Sequence, residues 1–458
     1  MGPVSPFVDG LVADLRTPAG LFLGVSLGGA LFSLNGYRPF ARQGPVSIGA
    51  FFAGWLTAEL PLQHLAWQVL VTALFLRAGV LGSWPGLVGL GLSLVSWAAL
   101  VRFALVAGKA EAIVEQALTT ALGDDYLQRI EPGLAQGLAG QLLRRQLFVP
   151  FFMGHPQVVR TKNLAYGKLG RRNRLDVYRR RDLPQGCPVL LQVHGGAWAV
   201  GNKEQQGLPL VHYMASLGWV VVTINYRLSP RAVFPDHIVD VKRAIAWVKA
   251  NVATYGGDPG FVAITGGSAG GHLSSLAALT PNDPAFQPGF EDADTTVQAC
   301  VPFYGVYDFT NRKGLGRRDM RAFLERIVFK KRYADDHAPF DAASPMSRIT
   351  KEAPPFFVIH GTNDTVVPVA EARLFVELLR ATSRAPVAFA ELPDAQHAFE
   401  VFASLRTRHV VRGVARFLAF AYSQHRRALD VPRRVPADAA GGLDDRVAVE
   451  GPERGAAA

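Results

Sequence analysis

Cysteine is nearly absent. Cys187 and Cys300 are the only two among 458 residues; they follow no C-x-x-C or histidine spacing, so neither a disulfide framework nor a metal site is expected. Charge is missing from long stretches: no Asp, Glu, Lys or Arg occurs from Leu60 to Leu76 or from Ala78 to Val101, which excludes an amphipathic helix with a charged face over either. Acid is in deficit too, with 37 Asp and Glu against 48 Lys and Arg and a net charge of +11. A nucleic-acid partner is still not expected, because no recognition motif and no interleaved aromatic pattern accompanies that charge. No internal repeat is visible.

What fills the uncharged stretches is apolar. A helix of about 20 apolar residues crosses a bilayer, and residues 62–82 and 86–107 read as two such helices joined at Gly82-Ser83-Trp84-Pro85. Residues 19–37 and 45–58 are weaker spans, and buried core helices are the alternative for the whole set. Asp9, Asp14 and the lack of a basic start argue against a cleaved signal peptide, so residues 1–110 are expected to stay as a helical membrane anchor. Residues 111–157 read as a helical linker, 158–430 as the main domain, and 431–458, rich in Pro, Ala and Gly, as a disordered tail.

Between 160 and 181, nine Lys or Arg face one acid, Asp176. Alternation at Leu175 and Val177 with a turn at 168–172 predicts a hairpin, its basic face either resting on anionic lipid or solvated. Lys109 lies on the same side and the 82–85 turn has no charge, so positive-inside reasoning puts the main domain in the cytoplasm of a multi-pass membrane protein. Membrane lipids are therefore expected partners; the oligomeric state is open.

Chemistry is concentrated at the ends of predicted strands. Phe261-Val262-Ala263-Ile264-Thr265 reads as a buried strand running into Gly266-Gly267-Ser268-Ala269-Gly270 and then a helix. Strand, sharp turn and helix around G-x-S-x-G form a nucleophile elbow, whose flanking glycines let the Ser268 hydroxyl project from a tight backbone. Upstream, Pro188 to Val193 is a strand ending in His194-Gly195-Gly196-Ala197-Trp198. The amides of Gly195, Gly196 and Ala269 are the expected oxyanion hole, since backbone N–H groups at small residues can approach a tetrahedral intermediate. A serine hydroxyl needs a base, and the base needs a carboxylate to fix its tautomer. Asp364 follows the strand Pro355 to Gly361, and His397 follows the strand Val387 to Leu392.

Other assignments are weaker. Asp308 also follows a strand and Asp394 neighbours His397, yet neither follows the penultimate strand, where the acid is expected. His360 reads as a packed loop histidine and His194 as an orienting residue of its loop. Asp236 and Asp240 open an amphipathic helix with Ile238, Val241, Ile245 and Val248, and read as helix-terminal charges. Trp198 and Tyr226 are expected to line the substrate pocket.

Residues 185–425 resemble the hormone-sensitive-lipase-like branch of the α/β-hydrolases, with prenylcysteine methylesterases and kynurenine formamidases among its relatives. His194-Gly195-Gly196, Asn225-Tyr226-Arg227-Leu228, Gly257-Asp258-Pro259, Gly266 to Gly271, His360-Gly361 with Asp364, and His397-Ala398-Phe399 carry the resemblance. The order Ser, Asp, His is the one found in that fold. Two positions depart: Ala197-Trp198 replace a third glycine, as in the formamidase and methylesterase relatives, and Gly267 stands where the main esterase groups carry Asp or Thr. The resemblance implies an α/β fold with a mostly parallel sheet and a serine hydrolase of carboxylic esters; proximity to the bilayer favours a lipophilic ester, and no cofactor or metal is expected. Formamide or prenylcysteine methyl ester cleavage, acyl transfer to an alcohol, and an inactive membrane-tethered scaffold are the alternatives.

Overall fold

Small and hydroxyl residues decide how the N-terminal helices meet. The computed structural model describes residues 14–40, 44, 46–138, 145–182 and 184–430, so the 431–458 tail and Asp9 lie outside the described residues. Among the described residues the N-terminal helices are α1 (Pro18–Tyr37), α2 (Val46–Glu59), α3 (Pro61–Arg77) and α4 (Trp84–Gly108). α1 buries Ser26, Gly29, Ser33 and Gly36, and α4 buries Gly89, Ser93 and Ser96. The Ser26 and Ser93 hydroxyls lie 3.0 Å apart and those of Ser33 and Ser96 2.9 Å apart. Residue numbers rise together across these pairs, so α1 and α4 run parallel. α3 runs the opposite way, with Phe75 against Phe22 and Gln68 beside Gly29. Leu21, Leu70, Leu74, Val95 and Leu105 point outward and are exposed. Small and polar residues thus line the contacts between these helices, with leucine outside.

Two helical stretches among the described residues, Pro18–Tyr37 and Trp84–Leu122, are long and apolar enough to cross a membrane. The helix expected over 62–82 is shorter. α3 ends at Arg77 after 17 residues, because Gly79 adopts a left-handed φ of 75° and the chain turns through Val80–Gly82. The stretch 19–37, the weaker expectation, is a full helix of 20 residues.

Eight strands form one sheet: β1 (Val158–Ala165), β2 (Arg174–Arg180), β3 (Cys187–Val193), β4 (Val220–Ile224), β5 (Gly257–Gly267), β6 (Ala299–Phe303), β7 (Phe356–Gly361) and β8 (Val387–Leu392). Their order is β1-β2-β4-β3-β5-β6-β7-β8. The hairpin of β1 and β2 forms, β2 pairs antiparallel with β4, and β3 to β8 are parallel throughout. Every residue of β3, β4, β6 and β7 is buried, as near-continuous apolar runs require when helices cover both faces. Asp176 on β2 is buried and binds Arg160 and Lys203, so part of the basic hairpin is neutralised internally.

Helices α5 (Ala110–Leu122) and α6 (Leu208–Ser216) cover one face; α7 (Asp236–Asn251), α8 (Ala269–Leu279) and α9 (Val369–Thr382) cover the other; and α10 (Leu405–Asp430) returns to the first. The expected periodicity of α7 holds: Ile238, Val241, Ile245 and Val248 are buried, while Asp236 and Asp240 bind Arg227. Val114 and Leu118 of α5 join the core that holds Phe357 of the sheet and Val411 and Phe417 of α10. Close approach there depends on Gly413, since a Cβ at that position would lie 2.1 Å from a Val114 methyl. Gly413→Ala is therefore expected to destabilise the fold by about 1–3 kcal/mol in urea unfolding. The double change with Val114→Ala should recover part of that loss.

Candidate active site

The sheet delivers its loops to one edge. Ser268, Asp364, His397 and the His194 to Trp198 segment follow β5, β7, β8 and β3, all parallel strands, so all sit at their carboxyl ends, where ligands of open α/β sheets bind. Ser268 joins β5 to α8 with φ 57° and ψ −120°. Such a backbone costs about 1–3 kcal/mol for a non-glycine residue, and Gly266 and Gly270 let the turn pack against the Val193 carbonyl, where a Cβ on either would lie 2.5 or 2.1 Å away.

His397 and Asp364 are brought together from separate loops. The imidazole Nδ1 lies 2.7 Å from Asp364 Oδ2, and Asp364 Oδ1 accepts the amides of Val366 and Val367 at 2.8 Å each. His360 Nε2 stands 3.2 Å from the same Oδ2 and 2.9 Å from the Val367 carbonyl, so this packed histidine braces the carboxylate. Burial raises the Asp364 pKa, but the charge and hydrogen bonds of His397 and His360 outweigh it and hold the carboxyl well below the usual range. The competing acids are occupied elsewhere: Asp308 closes its own turn onto Thr310 and Arg312, and Asp394 pairs with Arg102.

Ser268 and His397 line one cavity of about 750 Å³ with Gly195, Gly196 and Ala197. Three expectations change at its border. The Gly195 amide donates to the Gln206 side-chain carbonyl, so it is already engaged, and Gly196 and Ala269 remain as the candidate donors. Trp198 does not line the cavity: it is buried, with Nε1 donating to His272 Nδ1 at 3.0 Å and its ring edge-on to Phe309. Tyr226 is buried as well, stacked on the His194 ring at 4.4 Å and donating to the His194 carbonyl at 3.0 Å. Both hold the loop in place from behind. His194 itself donates Nδ1–H to the Gly195 carbonyl at 2.7 Å, and burial lowers its pKa to about 4, which keeps this orienting ring neutral.

The remaining wall comes from outside the sheet domain. Phe51, Phe52 and Trp55 of α2 line the same cavity. Trp55 Nε1 donates to the Ala398 carbonyl at 2.9 Å, and Asn363, next to Asp364, donates to the Gly36 carbonyl at 2.8 Å. No motif in the 45–58 stretch points to this role.

Relatives of this chain match most of its length. A Mycobacterium tuberculosis protein named "Probable carboxylic ester hydrolase LipM" is 46% identical over 86% of this chain and 92% of its own. The chain belongs to the α/β-hydrolase family of carboxylic ester hydrolases. Esterase LipQ of Mycobacterium tuberculosis is 45% identical over 84% of this chain and 87% of its own. The BD-FAE family model matches residues 175–379. A rice protein named as a probable isoprenylcysteine alpha-carbonyl methylesterase is 30% identical over 48% of the chain and 52% of its own.

Within this α/β-hydrolase the unusual Gly267 has a steric reason. A Cβ there would fall 2.6 Å from the Tyr304 hydroxyl, so the phenol occupies the space that any side chain at 267 would need. Tyr304 stands 4.5 Å from the His397 ring, donates to Glu400, and receives Gln206 Nε2 at 3.3 Å. Burial, and then the nearby Glu59 charge, push Glu400 up to about 7 against the lowering effect of the Tyr304 hydrogen bond. Gln206, Tyr304 and Glu400 thus tie the glycine loop to the histidine loop, and sequence spacing carried no sign of it.

Because the folded Asp364 pKa lies below its unfolded value of about 3.9, its stabilising contribution is full above that pH and fades as pH falls toward the folded value. Asp364→Asn is expected to lower urea-unfolding stability by a constant amount from pH 8 to 6. That gap should shrink below about pH 4; a gap that widens on acidification contradicts the assignment.

Proposed function

We propose that this carboxylic ester hydrolase is membrane-anchored and works as a serine hydrolase on lipophilic esters through an acyl-enzyme. The observation that carries it is the 2.7 Å contact of His397 with the buried carboxylate of Asp364, together with the cavity that His397 and Ser268 both line. Ser268 Oγ bonds to the ester carbonyl carbon as His397 takes its proton, and charge collects on an oxygen facing the Gly196 and Ala269 amides. His397 returns the proton to the leaving alkoxide as the carbon–oxygen bond breaks. Water, deprotonated by the same imidazole, then attacks the acyl group and frees the acid and Ser268. Asp364 keeps the tautomer and stabilises the imidazolium throughout.

For the membrane, the inverted polarity of α1, α3 and α4 supports an anchor. If α1 and α4 cross in parallel, α3 has to carry the chain back, and its 17 residues reach the lower limit of a span. We infer three crossings, with the basic residues after Lys109 holding the catalytic domain on the cytoplasmic side. Activity confined to an extracytoplasmic reporter fused after residue 430 would overturn that orientation. The methylesterase relative supports a second reading, a methyl ester of a prenylated cysteine.

Ser268→Ala is expected to lower kcat on nitrophenyl esters by at least about 10⁴-fold, with KM little changed, and to abolish labelling by a fluorophosphonate. A folded native protein that takes no label, or that turns over arylformamides and leaves every ester intact, overturns the proposal.

A further inference from the structure

An aromatic face of α2 has no role in the reaction steps above, yet it forms a wall of the reaction cavity. Phe51 meets the His397 ring edge-on at 6.3 Å, stacks on Trp55 at 5.6 Å, and Phe52 packs against the same indole at 6.0 Å. Trp55 is fixed at its far end by stacking on Phe402 at 4.6 Å and by its hydrogen bond to the residue after His397. These rings therefore keep one position relative to the base. Phe52 is half open, at 50% exposure, and Ile48 and Leu56, one turn away on either side, are exposed. The apolar track runs from the imidazole to the outside of α2, the helix that links α1 to α3.

Direction follows from the chemistry. The imidazole that takes the serine proton must give it to the leaving oxygen, so the alcohol portion of a bound ester starts on the His397 side of Ser268. That is the side Phe51, Phe52 and Trp55 occupy. We propose that α2 supplies the alcohol-binding subsite, and that it takes the hydrocarbon chain of a lipophilic alcohol, laid along these rings toward the lipid. This rests on the serine esterase reading of the same cavity. A methylesterase would place its lipophilic part on the acyl side instead, so the two substrate classes separate experimentally.

The test uses the full chain in detergent with two ester series: acetates of n-alkyl alcohols from ethyl to octyl, and nitrophenyl esters of acids from acetate to octanoate. In the native protein kcat/KM for the alkyl acetates should rise about two- to threefold per methylene over the first few carbons. Phe52→Ala should flatten that rise, lowering the octyl-to-ethyl ratio about tenfold, whereas Phe52→Leu should retain most of it, and the octanoate-to-acetate ratio of the nitrophenyl series should change less than about twofold. Circular dichroism melting checks that each variant folds; should Phe52→Ala fail to, Phe52→Ser and the native series carry the comparison. A flat alkyl series in the native protein, or variants that change the acyl series in place of the alkyl one, overturns the subsite while leaving the esterase intact. Failure of the folded native protein to cleave either series overturns the esterase reading beneath it.

Discussion

The contact between His397 and Asp364 is the point on which the surrounding structure converges. A carboxylate with no exposed side chain survives in such a place only when every oxygen is answered, and here two loop amides and two imidazoles answer it. Each partner fixes something else. His360 ties β7 to its own loop, Asn363 reaches the last turn of α1, and the carbonyl after His397 receives the Trp55 indole. Moving either member of the pair would disturb both the sheet edge and the helices packed above it.

That convergence explains why the N-terminal helices are more than a tether. Their mutual packing is governed by Ser, Gly and close backbones, whereas their contact with the catalytic domain is governed by hydrogen bonds and aromatic faces. The buried pair of Arg406 with Glu59, 3.3 Å apart, adds a charge contact whose loss on one side would leave an unpaired ion in the interior. Such an interface holds one relative position of α2 and the His397 loop, which both line one cavity.

Legibility differed with the kind of signal. Ser268, Asp364 and His397 stand out in the sequence because each lies past an apolar run, and parallel strands send all such ends to one edge. Trp198 and Tyr226 misled because a large aromatic beside a glycine loop looks the same in sequence whether it faces a cavity or supports the loop from behind. The Gly195 amide misled for a related reason, since the Gln206 side chain that engages it lies 11 residues away in a segment with no motif. The end of α3 was displaced because Gly79 entered a left-handed turn, a local backbone event inside a stretch whose hydropathy continues unbroken.

The amino-acid order by itself determined the parallel sheet, the elbow, the chain order of Ser268, Asp364 and His397 and the apolar character of the N-terminal helices, since these follow from local periodicity and from residues within a few positions of one another. Only the tertiary structure decided which amide stays available, that Tyr304 fills the space above Gly267, and that Phe51, Phe52 and Trp55 stand beside a histidine more than 300 positions away. Those outcomes depend on distances across the fold, and burial and close packing set such distances without leaving a periodic trace along the chain.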